Sequence, residues 1–118
     1  MVLGDSGRAP FGTVGIYLRD DRARGPANAF MLSTEFAHAH PVPDHSLHLT
    51  LPEPLCSEAI AAGWTEPHPL AGYPTVSALI VLLYAPRDAE ELTVACDLVT
   101  ASWAYASGHK AVQQKQEW

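Results

Sequence analysis

The sequence has little basic charge and no long apolar segment, and both shortages exclude classes of protein. Seven Lys and Arg residues stand against thirteen Asp and Glu residues, for a net charge of −6. Nucleic-acid backbones are bound by clustered basic side chains, so we expect no nucleic-acid partner. The longest apolar run, Ala78 to Ala85, is far shorter than the roughly 18 residues of a membrane span. We therefore expect no membrane insertion, and the lack of a basic-then-apolar leader predicts a cytoplasmic protein.

Cysteine is also scarce, and the sequence motifs of several enzyme classes are missing. Cys56 and Cys96 fall on apolar faces of predicted helices and outside any CxxC motif. This predicts two small buried side chains in a reducing compartment. The sequence contains no Gly-rich phosphate loop, no dinucleotide fingerprint and no Gly-x-Ser-x-Gly nucleophile motif. We therefore expect no organic cofactor, while a divalent metal stays open.

The length and the hydrophobic pattern indicate one small domain. The 118 residues with 47% apolar content are enough for a single core. The predicted strands span residues 13–19, 29–32, 35–40, 47–51 and 76–84, and the predicted helices end at Gly63 and Gly108. The order β-β-β-β-α-β-α predicts an α+β fold, a small mainly antiparallel sheet with two helices packed on one face. We expect a flexible N-terminus over 1–12, one domain over 13–108 and a polar tail over 109–118.

Histidine is abundant, with six residues, of which five lie between His38 and His68. In the predicted hairpin of strands 35–40 and 47–51, one register pairs His40 with His48 and His38 with Thr50. A slip of one residue would place histidines among the leucines of the core face, which is costly. The favoured register therefore collects three histidines on one face. Opposed side chains lie about 5 Å apart at Cβ, close enough to share a ligand or a metal.

We expect this histidine face to be covered, because the neighbouring strand 76–84 is apolar on both faces. The cover would be the N-terminal segment, the loop 64–74 or a second subunit. The loop is stiffened by prolines and carries Glu66 and His68, so it favours a ligand pocket over the sheet.

Three interpretations of the histidines stay open: ordinary structural residues, an acid–base centre acting on a small molecule, or a metal site. The candidate catalytic residues are His40, His48, His68 and Glu66, which would orient a histidine. The candidate metal ligands are His38, His40, His48 and His68. Arg87 stands at the start of the last predicted helix, where it either anchors an anionic group or forms a salt bridge with Glu90 or Glu91.

Four segments together resemble the small luciferase-domain family of actinobacteria and some fungi. They are Glu-Phe-Ala-His-Ala-His-Pro at 35–41, Ser-Leu-His-Leu-Thr-Leu-Pro at 46–52, Ala-Gly-Trp-Thr-Glu-Pro-His-Pro-Leu-Ala at 62–71 and Tyr-Ala-Pro-Arg-Asp-Ala-Glu-Glu-Leu at 84–92. The resemblance does not extend to the large flavin-dependent luciferase barrel, which needs a much longer chain. The family's recurring polar positions correspond to Glu35, His40, His48, Glu66, His68, Arg87 and Asp88. The family often has an apolar residue at the position of His38.

The sequence thus predicts a small-molecule enzyme without an organic cofactor, of isomerase, cyclase or lyase type, such as those of secondary metabolism. The predicted substrate-binding residues are Glu35, Trp64, Tyr84 and Arg87. One alternative is an interaction module, with a homodimer or partner interface on the histidine face. The other alternative is a histidine-ligated metalloprotein.

Overall fold

The computed structural model describes residues 1–7, 12–41 and 46–109, and within them six strands form one antiparallel sheet. The strands are β1 Val2–Asp5, β2 Val14–Tyr17, β3 Glu35–Ala39, β4 Leu47–Thr50, β5 Thr65–Pro67 and β6 Ile80–Leu83. The helices are α1 Leu55–Ala61 and α2 Ala89–Ala106. The sheet order is β1-β2-β3-β4-β6-β5, and each neighbouring pair is antiparallel. The predicted α+β class with a mainly antiparallel sheet is confirmed.

Both helices end at the glycines predicted from the sequence, and the start of α2 has a side-chain cap. Asp88 is the N-cap of α2, and its side chain accepts a hydrogen bond from the Glu91 backbone N–H. Gly63 and Gly108 follow the two helices with positive φ angles of 84° and 77°. Glycine adopts this left-handed conformation without a steric penalty, so it ends a helix well.

Three segments differ from the prediction. The predicted strand 29–32 is replaced by a 3-10 turn, Ala27–Ala29, and one isolated bridge from Leu32 to Glu35. Val2–Asp5 pairs with β2 as an edge strand, where the sequence indicates a flexible terminus. Thr65–Pro67 pairs with β6 at the other edge, where the sequence indicates a loop. An edge tolerates Pro67 because one side of the strand needs no ladder hydrogen bond. The predicted tail lies outside the described residues from 110 onward.

The hydrophobic core lies between the sheet and the two helices. One sheet face supplies Ala37, Leu49, Val81 and Leu83, and the helices supply Cys56, Ala59, Val94, Leu98 and Ala106. None of the helices in the described ranges is both long enough and apolar enough to cross a membrane.

The buried stripe of α2 is rotated from the predicted one, and this changes the interpretation of one cysteine. The sequence predicts Cys96 on the apolar stripe, but Cys96 is exposed, and Leu98 and Ser102 are fully buried instead. Small and apolar residues occur nearly all round this helix, so periodicity alone does not fix the buried face. Cys56 is buried as predicted. Burial raises the pKa of its thiol to about 11.

Candidate active site

The site lies on the sheet face that carries alternating histidines. The observed register opposes His38 and His48, with Ala37 opposite Leu49 and Ala39 opposite Leu47. The predicted register, His40 opposite His48 and His38 opposite Thr50, is wrong by two residues. The predicted faces are nevertheless correct, because a two-residue shift returns every side chain to the same side of the sheet.

Three imidazole nitrogens converge on this face. The Nε2 atom of His38 lies 3.0 Å from Nδ1 of His48, and the Nε2 atom of His40 lies 3.2 Å from the same nitrogen. His38 and His48 are buried, while His40 is half-buried just beyond the end of β3. One nitrogen from each ring falls in a group whose members lie within 4.8 Å of one another.

A fully buried carboxylate stands behind this group. Glu35 Oε2 lies 3.3 Å from Nδ1 of His38 and accepts a hydrogen bond of 2.6 Å from the Ser6 hydroxyl. The Gly7 backbone N–H donates to Oε1 at 3.3 Å. Burial alone would raise the pKa of Glu35, but the hydrogen bonds from His38 and Ser6 outweigh it, and the pKa is lowered. Glu35 is therefore an ionised carboxylate at neutral pH.

A β-bulge places Glu35 on the histidine face. Strict alternation along β3 would put Glu35 beside Ala37 and Phe36 beside His38. The pairing with β2 shifts between Ile16 and Tyr17, which leaves Phe36 without a ladder partner. Phe36 is then fully buried in the core cluster, and Glu35 reaches His38. Bulges commonly re-aim side chains in this way next to functional sites.

Gly15 makes room for the carboxylate. It is paired with His38 in the sheet, and a Cβ atom at this position would lie 2.9 Å from Glu35 Oε2. Ser6, Gly7 and Gly15 were not among the residues predicted from the sequence. A glycine inside a predicted strand was the available signal, since it often marks close approach by another group.

These contacts define where the protons lie. An ionised Glu35 accepts a hydrogen bond from the Nδ1–H of His38, so in the neutral ring the Nε2 atom of His38 carries the lone pair. The Nδ1–H of His48 then donates to His38 Nε2 and His40 Nε2 together. The Nε2 atom of His48 is left as an acceptor, and the Ser46 hydroxyl lies 3.5 Å from it. We assign these tautomers from the hydrogen-bond pattern.

An open recess of about 460 Å³ begins at His48. Its lining comprises Ser46, His48, Glu66, His68, Pro69, Leu82, Tyr84 and Ala85. The ring centroid of His68 lies 5.2 Å from that of His48. The Leu70 backbone N–H donates to Nδ1 of His68, so the proton of the neutral ring is on Nε2. Partial burial, with His38 and His40 nearby, lowers the pKa of His68.

The histidine face is covered partly from within the chain. Ser6 and Gly7 of the N-terminal segment contact Glu35, and the loop after β5 brings His68 to His48. Two of the three covers that the sequence suggests, the N-terminal segment and the loop 64–74, thus lie against this face within one chain.

The remaining predicted residues have other partners. Glu66 is exposed and accepts a hydrogen bond of 3.0 Å from the Tyr84 hydroxyl, so it orients that hydroxyl rather than a histidine. Arg87 forms an ion pair with Glu91 at 3.0 Å, and its side chain is 86% exposed. Arg87 and Trp64 line a second recess of about 420 Å³, which also includes Val94 and Ala95 of α2. The salt-bridge alternative for Arg87 is the one observed.

The fold and this site define a small α+β domain with a buried carboxylate–histidine group at the edge of an open recess. Residues 33–102 match the luciferase-domain family model, so the chain belongs to this family, as the sequence motifs predict. A luciferase of Armillaria mellea is 35% identical over 96 residues, which cover 78% of this chain and 36% of that protein.

Two further relatives are also named luciferases and show a similar identity. A luciferase of Armillaria ostoyae is 36% identical over 96 residues, covering 78% of this chain and 36% of the relative. A luciferase of Neonothopanus nambi is 39% identical over 79 residues, covering 65% of this chain and 30% of the relative. The chain therefore spans about a third of the length of these relatives. No solved structure shows a significant match.

Proposed function

We propose that this protein is an enzyme that transfers protons on a small molecule bound in the recess beside His48. The observation that carries the proposal is the series Glu35, His38 and His48, a buried carboxylate and two buried imidazoles in hydrogen-bond contact. A buried polar series of this kind is costly unless it is fully paired. Its position at the margin of a recess favours a catalytic use.

The series provides a path for one proton. A carbon-bound proton of the substrate passes to Nε2 of His48, and the Nδ1 proton of His48 passes to Nε2 of His38. The imidazolium formed at His38 lies beside the Glu35 carboxylate, which stabilises its positive charge. The reverse movement returns a proton to the substrate, so the enzyme is unchanged at the end of the cycle.

His68 has a different role in this proposal. Its Nε2 carries a proton, and its lowered pKa keeps the ring neutral at neutral pH. A neutral imidazole N–H is a hydrogen-bond donor for a developing oxyanion. The Tyr84 hydroxyl, which donates to Glu66, lines the same recess. Isomerisation, cyclisation and elimination need these groups and no redox cofactor, so we propose one of these reaction classes.

The family supports a second candidate function. The relatives are named luciferases and are 35–39% identical to this chain in the aligned regions. A light-emitting reaction in the same recess is therefore the alternative to proton transfer alone.

Deuterium exchange tests the first candidate directly. The protein is incubated in D₂O with 1,3-diketones, β-keto acids and α-hydroxy ketones, and loss of the acidic C–H signal is followed by NMR. We expect exchange with the natural chain to exceed that with His48→Ala by about 10²- to 10⁴-fold. His109→Ala is the matched control, since His109 is exposed and stacks on Trp103 outside the site. Photon counting on the same mixtures in air tests the second candidate.

Equal exchange by the natural chain and by His48→Ala would contradict the proton path. Sedimentation at about pH 5.5 and about pH 7.5, on either side of the ordinary histidine pKa, then tests the interaction module. An association state that changes between these pH values would favour that module over an enzyme.

A further inference from the structure

We propose that His38, His40 and His48 form a binding site for one divalent transition-metal ion. The inference concerns binding alone and does not depend on the proton-transfer function. It is carried by the convergence of three imidazole nitrogens, by the proton that they share and by the carboxylate behind them.

The spacing of the nitrogens is close to that of ligands on one metal ion. Metal–nitrogen bonds of about 2.0–2.1 Å in a tetrahedral site place two nitrogens roughly 3.3–3.4 Å apart. The nitrogens of His38 and His40 lie 3.0 and 3.2 Å from Nδ1 of His48. One nitrogen from each of the three rings lies within 4.8 Å of the other two. A small rotation of His40 that brings its nitrogen closer to His38 would complete the arrangement, and His40 is half-buried at a strand end.

The sheet itself creates this convergence. His38 lies in β3 and His40 directly follows its last residue with the pairing continued by the His40 N–H to Ser46 O hydrogen bond, so these alternate side chains leave the same face. His48 opposes His38 on the neighbouring strand β4. Two ligands therefore come from one strand and the third from its partner, and the ladder hydrogen bonds fix their separation.

The shared proton marks the place of the ion. The Nε2 lone pairs of His38 and His40 are both directed to one Nδ1–H of His48. When a cation takes the place of that proton, the proton moves to Nε2 of His48, so the His48 ring stays neutral and its Nδ1 lone pair becomes available. Each of the three nitrogens then makes its own bond to the cation, as ligation by neutral imidazole requires.

Glu35 completes the second layer of the site. A metal-bound histidine usually donates its other ring N–H to a carboxylate or carbonyl oxygen, which fixes the ring and increases its basicity. The Nδ1 atom of His38 has this relation to Glu35 Oε2 at 3.3 Å. The negative charge of Glu35 also offsets part of the charge of a divalent ion, and Ser6 and Gly7 hold the carboxylate in place.

The donor set decides the class of metal and excludes one predicted ligand. Three imidazoles suit zinc, cobalt, nickel, copper or iron, whereas magnesium and calcium prefer oxygen ligands. His68 was a predicted ligand, but its Nδ1 accepts the Leu70 N–H and its Nε2 carries the ring proton. It is therefore a neighbour of the site and not a ligand in this arrangement. Three protein ligands leave a coordination position for a substrate or solvent molecule.

Cobalt(II) titration of the full chain tests the site. The chain is purified without an affinity tag, treated with a chelator, dialysed at about pH 7.5 to keep the imidazoles neutral, and titrated with Co²⁺ while visible absorption is recorded. We expect saturation at one Co²⁺ per chain and loss of the spectrum when Zn²⁺ is added. His109→Ala, the exposed control, should bind like the natural chain. Glu35→Gln should bind about 10- to 100-fold more weakly.

The ligand variants decide the outcome. We expect His48→Ala and His40→Ala to lose the Co²⁺ spectrum, with folding checked by circular dichroism. His40 is half-buried at a strand end, so His40→Ala keeps the test valid if His48→Ala does not fold. The proposal is overturned if the natural chain gives no spectrum at about 1 mM Co²⁺, because the dissociation constant would then be well above about 1 mM. Unchanged binding by folded His40→Ala, or loss of binding in His109→Ala, would also overturn it.

The experiment separates this proposal from the proposed function. Cobalt binding is measured without substrate, and deuterium exchange is measured on chelator-treated protein. Either result can therefore fail while the other stands.

Discussion

Nδ1 of His48 lies 3.0 Å from Nε2 of His38, which in turn is linked through its own Nδ1 to the buried carboxylate of Glu35. This contact joins two neighbouring strands on the face of the sheet turned away from the main core. It gives the domain a polar group that is buried on one side and reaches an open recess on the other.

Replacement of Glu35 by Gln should destabilise the fold at neutral pH. The carboxylate accepts hydrogen bonds from Ser6, Gly7 and His38, and the amide group of Gln would face one of these donors. We expect the free energy of unfolding to fall by about 1–3 kcal/mol, measured by urea denaturation. Glu58→Gln, an exposed change on α1, should alter it by less than about 0.5 kcal/mol. Equal effects of the two changes would contradict the role of the buried carboxylate.

The effect of Glu35 should depend on pH in a defined direction. The pKa of Glu35 is lowered in the folded state, so its ionised form stabilises the fold above its unfolded pKa of about 4.3. This stabilisation is lost as the pH falls through the lower, folded-state pKa. The difference in unfolding free energy between the natural chain and Glu35→Gln should therefore shrink below about pH 4. A difference that stays constant from neutral pH to pH about 3 would argue against an ionised Glu35.

Gly15→Ala should damage the site, while Gly4→Ala should not. The two glycines oppose each other in the sheet. A Cβ at Gly15 would lie 2.8 Å from the Tyr17 ring and 2.9 Å from Glu35 Oε2, whereas a Cβ at Gly4 would make an ordinary contact of 3.7 Å. We expect Gly15→Ala to cost about 1–3 kcal/mol in thermal or urea unfolding. Gly4→Ala should be neutral or slightly stabilising. The reverse order would show that the carboxylate is placed differently.

The two cysteines should differ sharply in reactivity. Cys96 is exposed, while Cys56 is buried and the pKa of its thiol is raised to about 11. The thiolate is the nucleophile, and at about pH 8 only a very small fraction of the Cys56 side chains is in the thiolate form. Cys56 should therefore react slowly even where the reagent reaches it. We expect iodoacetamide to modify one site in the native protein, found at Cys96 by mass spectrometry, and both sites after unfolding. Native modification of a Cys96→Ser variant would contradict the burial of Cys56.

Arg87→Ala should leave the proposed chemistry intact. The guanidinium is exposed, pairs with Glu91 and lines the second recess with Trp64. Exposed helix ion pairs contribute less than about 1 kcal/mol, so we expect a small change in stability. Deuterium exchange, if present in the natural chain, should change by less than about twofold, as expected for a group that does not touch the reacting molecule. A large loss of exchange would instead support the predicted substrate-binding role of Arg87.

The alternation of apolar and polar residues in β4 correctly predicted which side chains share a face, but not which residues oppose one another. Leu47 and Leu49 lie on the core side and His48 on the other, as their period of two requires. The same period makes registers that differ by two residues equivalent in the sequence. The connection between β3 and β4 and the pairing of β4 with β6 have to be known before His48 can be placed opposite His38.

The sequence by itself determined the α+β class, the glycine stops of both helices, the family and the collection of histidines on one face. These depend on local residue preferences and on short periods that are visible in one dimension. The tertiary structure alone decided that Ser6, Gly7 and Gly15 surround Glu35, and that a bulge at Phe36 turns this carboxylate toward His38. It also placed Arg87 and Trp64 in a recess whose lining includes none of the described histidines. The physical reason is that contacts between distant segments and a break in strand periodicity depend on packing, which local sequence patterns do not encode.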